Sequence, residues 1–209
     1  MKSVTRGGTR WKRFAVVMVP SVAATAAIGV ALSQGALAAS FSVSGQSFKV
    51  HVDKLDAHGM VQYGAIDAEK NGTPHPVSVS AFKKAKLTNM CQSVVTKIPG
   101  LGDITLVLKA GGGGKPAVAD NIYIDVAQLD ADATFKDINI GVAAGSSSKG
   151  PGMKGGKEQA DPNGFAQEAD RAILTDVDQT AWATSAGTFK LNGLNMSLHK
   201  GSGKGIECY

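Results

Sequence analysis

The 209-residue chain has little of what reactive or metal-bound sites are built from. Two cysteines and four histidines are all it offers, and no pair of them has zinc-ligand spacing, so no metal site is expected from them. Gly-x-Ser-x-Gly is missing, so the strained strand-to-helix turn that presents a serine in an α/β-hydrolase is not signalled. Gly111 to Lys115 does not end in Gly-Lys-Ser/Thr, and Pro116 follows, so it is no phosphate loop. After the N-terminal region no second apolar run of about 18 residues occurs, which excludes an integral membrane segment there. No cofactor is implied.

Acidic residues are also absent before Ala39, and this absence is informative. Lys2, Arg6, Arg10, Lys12 and Arg13 precede an apolar run from Phe14 to about Leu32, and Ala36-Leu37-Ala38 supplies a small-x-small site. That order reads as a secretory signal peptide over residues 1–38, expected to be cleaved between Ala38 and Ala39, with an uncleaved N-terminal anchor as the alternative. Removing its five cations from the 22 Lys and Arg leaves 17, against 17 Asp and Glu. The remaining chain is formally neutral, so the net charge of +5 is no argument for nucleic acid as a partner. The expected location is extracellular or in the cell envelope.

In an oxidising compartment Cys91 and Cys208 read as one disulfide. Two reactive thiols, or a cross-link between chains, are the alternatives. Such a bridge closes a loop of over 100 residues, which the chain-entropy picture values at about 4–5 kcal/mol as an upper figure.

The mature chain reads as written twice. Val50–Ala57 aligns with Ile124–Ala131, Ala85–Ser93 with Ala172–Thr180, and Gly100-Leu101 followed by Ile104-Thr105-Leu106 with Gly193-Leu194 followed by Met196-Ser197-Leu198. The matches keep their order, with offsets of 74, 87 and 92 to 93 residues. Residues 39–118 are expected to form a first β half and 119–209 a second. Both halves belong to one compact domain.

Within these segments apolar and polar residues alternate with period two, at Phe41–Ser44, Phe48–Val52, Ile104–Leu108, Ile122–Val126, Ile138–Val142 and Leu194–Leu198. The fold class expected is mainly β, a sandwich or curved antiparallel sheet built from two related halves, with at most one or two short helices. Phe165, Ala169, Ile173 and Val177 fall at helical spacing, so helix and strand compete over 166–174. Residues 143–164 are rich in Gly, Ser and Lys, a composition that cannot bury a core and predicts a flexible insert.

Candidate chemistry is sparse. Ser80–Lys83, Ser146–Lys149 and Ser197–Lys200 match Ser-x-x-Lys, but the companion motifs of that enzyme class are missing. His199 is the best-placed base for a triad assembled in space, with Ser80 and Ser197 as nucleophile candidates. His51, His58 and His75 read as outward or turn positions. Asp130 and Asp132 begin a calcium-type loop that lacks its later Gly and Glu, so a solvated strand face explains them. Trp182 and Phe189 are the aromatics placed to face a ligand, or else to fill the core.

The segment Ala85-Lys86-Leu87-Thr88-Asn89-Met90-Cys91, the run Ala186–Leu194 and the terminal Glu207-Cys208-Tyr209 resemble a family of secreted actinobacterial proteins without an established function. Its members often carry the label cholesterol esterase. The resemblance covers most of the mature chain and implies an envelope or extracellular protein. A seam between two packed halves suits an apolar ligand, so the leading expectation is a non-enzymatic protein that binds a lipid or sterol. A lipid-ester hydrolase with a non-standard site is the alternative, and a structural surface component polymerising through strand edges is a third.

Overall fold

The computed structural model describes residues 43–155 and 158–209. The expected export signal, the expected Ala38–Ala39 cleavage junction and the start of the expected Phe41–Ser44 strand lie outside the described residues.

Seven strands follow in chain order: β1 (Phe48–Ala68), β2 (Pro74–Ile98), β3 (Gly102–Ala110), β4 (Ala117–Lys136), β5 (Asn139–Ala143), β6 (Phe165–Lys190) and β7 (Asn195–Lys200). All pairings between them are antiparallel. The helix element among the described residues is a 3-10 turn at Ala144–Ser146. Of the two forms expected from the periodicity, the curved antiparallel sheet is the one present. It curves until it meets itself, because β1 pairs with both β2 and β6, and β4 pairs with both as well. The longest antiparallel pairs in this ring are β1–β2 and β4–β6.

A ring of only four strands encloses little space, and the inward residues fit that constraint. Ala57, Ala85, Ala119, Ala169, Ala172 and Ala181 are buried without room to spare, interleaved with Val52, Leu55, Leu87, Ile122, Leu174 and Val177. Alanine layers let the backbones approach, and the branched side chains fill the gaps between layers.

The inward face does not keep strict alternation. It advances by three residues at Val52 to Leu55, at Leu87 to Met90 and at Leu174 to Val177. Asn89 and Asp176 adopt positive φ inside two of these steps. The same three-residue step occurs between Ala169 and Ala172, so of the residues at helical spacing Ala169 and Val177 face inward, while Phe165 is 67% exposed and Ile173 is not part of the interior cluster. Residues 166–174 are strand throughout, held by β1 on one side and by β5 and β4 on the other.

The matched segments 85–93 and 172–180 flank β1 symmetrically. Leu55 lies opposite Leu87 and Leu174, Ala57 opposite Ala85 and Ala172, and His51 opposite Cys91 and Asp178. The other matches are looser. Val50–Ala57 and Ile124–Ala131 lie on strands across the ring from each other, but Leu55 is buried whereas Leu129 is 37% exposed. The third pair falls on β3 and β7, which hydrogen-bond to each other.

Residues 143–155 and 158–164 cross the outer face of the ring. There Val61, Tyr63, Val77, Val79, Tyr123 and Ala166 form a second apolar cluster, over which Ala144, Met153 and Ala160 pack. Little apolar surface comes from this strap itself, as its composition dictates. Its glycines serve close approach instead: a Cβ on Gly150 would stand 2.6 Å from Val61.

Candidate functional site

The ring interior is not completely filled. A cavity of about 130 Å³ remains, lined by residues of all four ring strands. Leu55, Met60, Phe82, Ile124, Leu174 and Val177 make its apolar wall. Leu129, Ala131, Ala133 and Phe135 form one lip, on the part of β4 that has left β2 and pairs only with β6. No charged side chain lines the cavity. Its polar groups are Gln62, Ser80 and Gln179, and Gln62 Nε2 donates to Ser80 Oγ at 2.9 Å. Gln167 Nε2 donates to Gln62 Oε1, which completes a neutral rung across β6, β1 and β2.

Ser80 is thus a buried member of this rung, and Lys83 reaches the strap carbonyl of Ser148 at 3.4 Å instead of Ser80. Ser197 and His199 do meet, with Oγ and Nε2 2.9 Å apart on β7. His199 is exposed, and among the described residues no carboxylate takes its other ring nitrogen. Trp182 and Phe189 face opposite sides of β6. Trp182 stacks on His75, ring centroids 3.6 Å apart, beside a groove on the outer face, while Phe189 packs against the interior cluster. They share no site. Asp130 accepts from Gln128 on an exposed stretch of β4. Among the described residues no group of three or more His, Cys, Asp or Glu is placed to hold a metal ion.

Two polar assemblies stand on the outer face; of these the sequence pointed only to the Cys91–Cys208 bridge. In the first, the strap is pinned by Lys154, whose Nζ lies 2.6 Å from Oδ1 of Asp125, a carboxylate only 1% exposed. Lys154 also donates its backbone N–H to Tyr63 Oη at 2.9 Å, and Tyr63 donates to Glu158 at 2.8 Å. Burial, with the charge of Asp125 beside it, pushes the Asp67 carboxyl up to about 6, and burial also raises Glu158. Glu168 holds the strap elsewhere, accepting the backbone N–H of Ser148 at 2.7 Å and of Lys149 at 2.9 Å. Those bonds, the one from Lys149 foremost, keep its carboxyl below the usual range.

The second assembly ties down the C-terminus. The sulfurs of Cys91 and Cys208 are bonded, with Cα atoms 5.7 Å apart. Cys208 N donates to Ser93 Oγ at 3.2 Å, and Lys49 Nζ meets Glu207 at 2.9 Å. Next to them His51 stands between Asp178, at 2.6 Å, and Asp53, at 3.3 Å. The Asp178 hydrogen bond is the main reason its pKa is raised.

These features define a closed β-ring protein with a small apolar cavity, an outer strap and a stapled tail. The chain belongs to the family of unknown function DUF6230, whose family model matches residues 44–209. No curated protein and no solved structure matches it.

Proposed function

We propose that this is an exported protein of the envelope or medium that holds an apolar ligand in the ring cavity. The observation that carries this reading is the uncharged apolar wall contributed by all four ring strands, open at the β4 lip. Drug-sized ligands occupy about 300–1,000 Å³, whereas a dry cavity of about 150 Å³ takes a benzene-sized molecule. At about 130 Å³ the cavity suits the end of an acyl chain, with the rest of the lipid outside the lip, better than a whole sterol. The neutral Gln62–Ser80 rung offers hydrogen bonds but no counter-charge, which favours an uncharged group at that depth.

The test is titration of the full chain with an acyl probe fluorescent at its polar end. Saturable one-to-one binding is expected, and Ala133→Phe, at the exposed lip, should weaken it without lowering the melting temperature. Absence of saturable binding, or binding indifferent to Ala133→Phe, removes the proposal.

The Ser197–His199 contact is the one observation favouring an ester hydrolase. It lies on β7 and does not line the ring cavity. Ester turnover by the full chain that is abolished in both Ser197→Ala and His199→Ala would establish that reading.

A further inference from the structure

We propose that the free end of the β2–β3–β7 extension is an attachment surface for an anionic lipid bilayer. It is separate from the ring cavity and does not depend on what fills it.

β1 begins at Phe48 and covers β2 only as far as Ser93, so the last residues of β2 continue past the ring with β3 and β7 alone. Among the described residues, nothing covers the face there that points inward in the ring. Leu106 lies opposite Leu198 and Leu108 opposite Met196, which makes one continuous patch. Leu198 is 70% exposed, Met196 59% and Leu101, in the β2–β3 turn, 58%; Ile98 and Leu194 are exposed as well. Scattered apolar residues need no explanation, but a contiguous sheet face of this kind marks an interaction surface.

The charge around the patch identifies the partner. Lys97 precedes Ile98, Lys200 ends β7 and Lys204 follows in the next turn, all exposed. Asp103 and Glu207 are the acidic side chains near this tip; Asp103 accepts from Ser202 at 2.8 Å, and Glu207 is paired with Lys49 at 2.9 Å. Residues 89–115 and 186–209 together carry six lysines against two acidic side chains, whereas the other residues from Ala39 onward carry 11 cationic and 15 acidic ones. The formal neutrality after residue 38 therefore hides a segregated charge, positive over these two stretches, with Lys97, Lys200 and Lys204 at the apolar end. A leucine-rich face rimmed by lysines matches the boundary of an anionic leaflet, where apolar groups enter the acyl region and long lysine stems return their charge to the headgroups. A second copy is the poorer occupant, because a symmetric interface would bring the same lysines together.

The experiment is co-sedimentation of the full chain with phosphatidylcholine vesicles, with and without phosphatidylglycerol. Retention is expected on the anionic vesicles and should weaken about tenfold or more in Lys97→Glu/Lys200→Glu. Leu101→Asp/Leu198→Asp should lose binding to a similar degree. All four side chains are exposed, so unchanged melting temperatures will show the variants folded. If the leucine variant unfolds, the lysine variant still decides. No retention, equal retention on neutral vesicles, or retention unchanged in the variants, as when residues 1–42 alone carry it, overturns the proposal. So does a dimer in solution that Leu198→Asp disperses.

Discussion

Asn89 and Asp176 stand on either side of Asp53 in the sheet, each with a left-handed backbone, at φ of 51° and 50°. They are the fifth residues of Ala-x-Leu-Thr-Asn and Ala-x-Leu-Thr-Asp, in the two matched segments that flank β1. Asn89 Nδ2 also donates to Asp53. Asn and Asp tolerate this conformation, while a β-branched residue is strained in it. Asn89→Val and Asp176→Val should each destabilise by about 1–3 kcal/mol, and the corresponding glycine variants should lie close to the parent. Urea unfolding compares all four. Equal losses for valine and glycine would mean the backbone conformation is not what matters there.

The Cys91–Cys208 bridge joins residues 117 apart. Cys91→Ala/Cys208→Ala should lower stability by up to about 4–5 kcal/mol, seen as a shifted urea midpoint. Because Lys49, Ser93 and Thr180 also hold residues 207–209, the loss should fall short of that figure.

The strap should respond to pH. Asp67, at about 6, and Glu158 bind protons more tightly folded than unfolded. The contribution of Asp67 is full below the unfolded value near 4 and is lost as pH rises through about 6, and Glu158 acts in the same direction. Glu168 acts oppositely: its depressed carboxyl stabilises above the usual range, and this is lost as pH falls through its folded value. Amide exchange at 148–155, corrected for intrinsic rate, should therefore be slowest in mild acid and faster toward about pH 8. Asp67→Asn should flatten the alkaline side. Protection that is level across this window in the parent would contradict the assignment.

Lys154→Met leaves the buried Asp125 carboxylate without its cation and should cost about 3–5 kcal/mol. The double change with Asp125→Leu should recover part of the loss, because both charges are then gone. A thermal or urea series of the three variants measures it.

Gly150→Ala should loosen the strap, since the added methyl meets Val61 at 2.6 Å. A loss of about 1–3 kcal/mol and faster protease cleavage within 145–164 are expected. Cleavage at the parent rate would show that the strap stands off the ring.

Local pattern was enough to place β1, β3, β4, β5 and β7, because alternation over five residues is a property of neighbours in the chain. It was not enough to give the length of β1, whose inward face steps out of phase near Asp53 and Gly59. Phe165, Ala169, Ile173 and Val177 imitate a helix because a spacing of four residues also fits alternation, and only burial separates them: Ala169 and Val177 are buried and Phe165 is exposed. The cavity was illegible for a different reason. Leu55, Phe82, Leu129 and Leu174 each look like ordinary strand residues, and only closure of the ring makes them one wall. The partners of Lys154 and Glu168 sit on strands distant in sequence, so no spacing announces them. The even count of cysteines and the match of 85–93 with 172–180 were the long-range features that the sequence made visible.

Ring closure also sets an order of events. β1 can form its hairpin with β2 early, but its other edge waits for β6, whose pairing residues lie more than 100 positions later. Until then both strand pairs carry open edges and uncovered leucines, and such late, non-local pairing makes folding slow. Cys208 lies beyond every ring strand and meets Cys91 across a β2 that already holds β1 and β3. Its bond thus acts as a seal on a finished fold, and the fraction of chains carrying it reports how many have completed the ring.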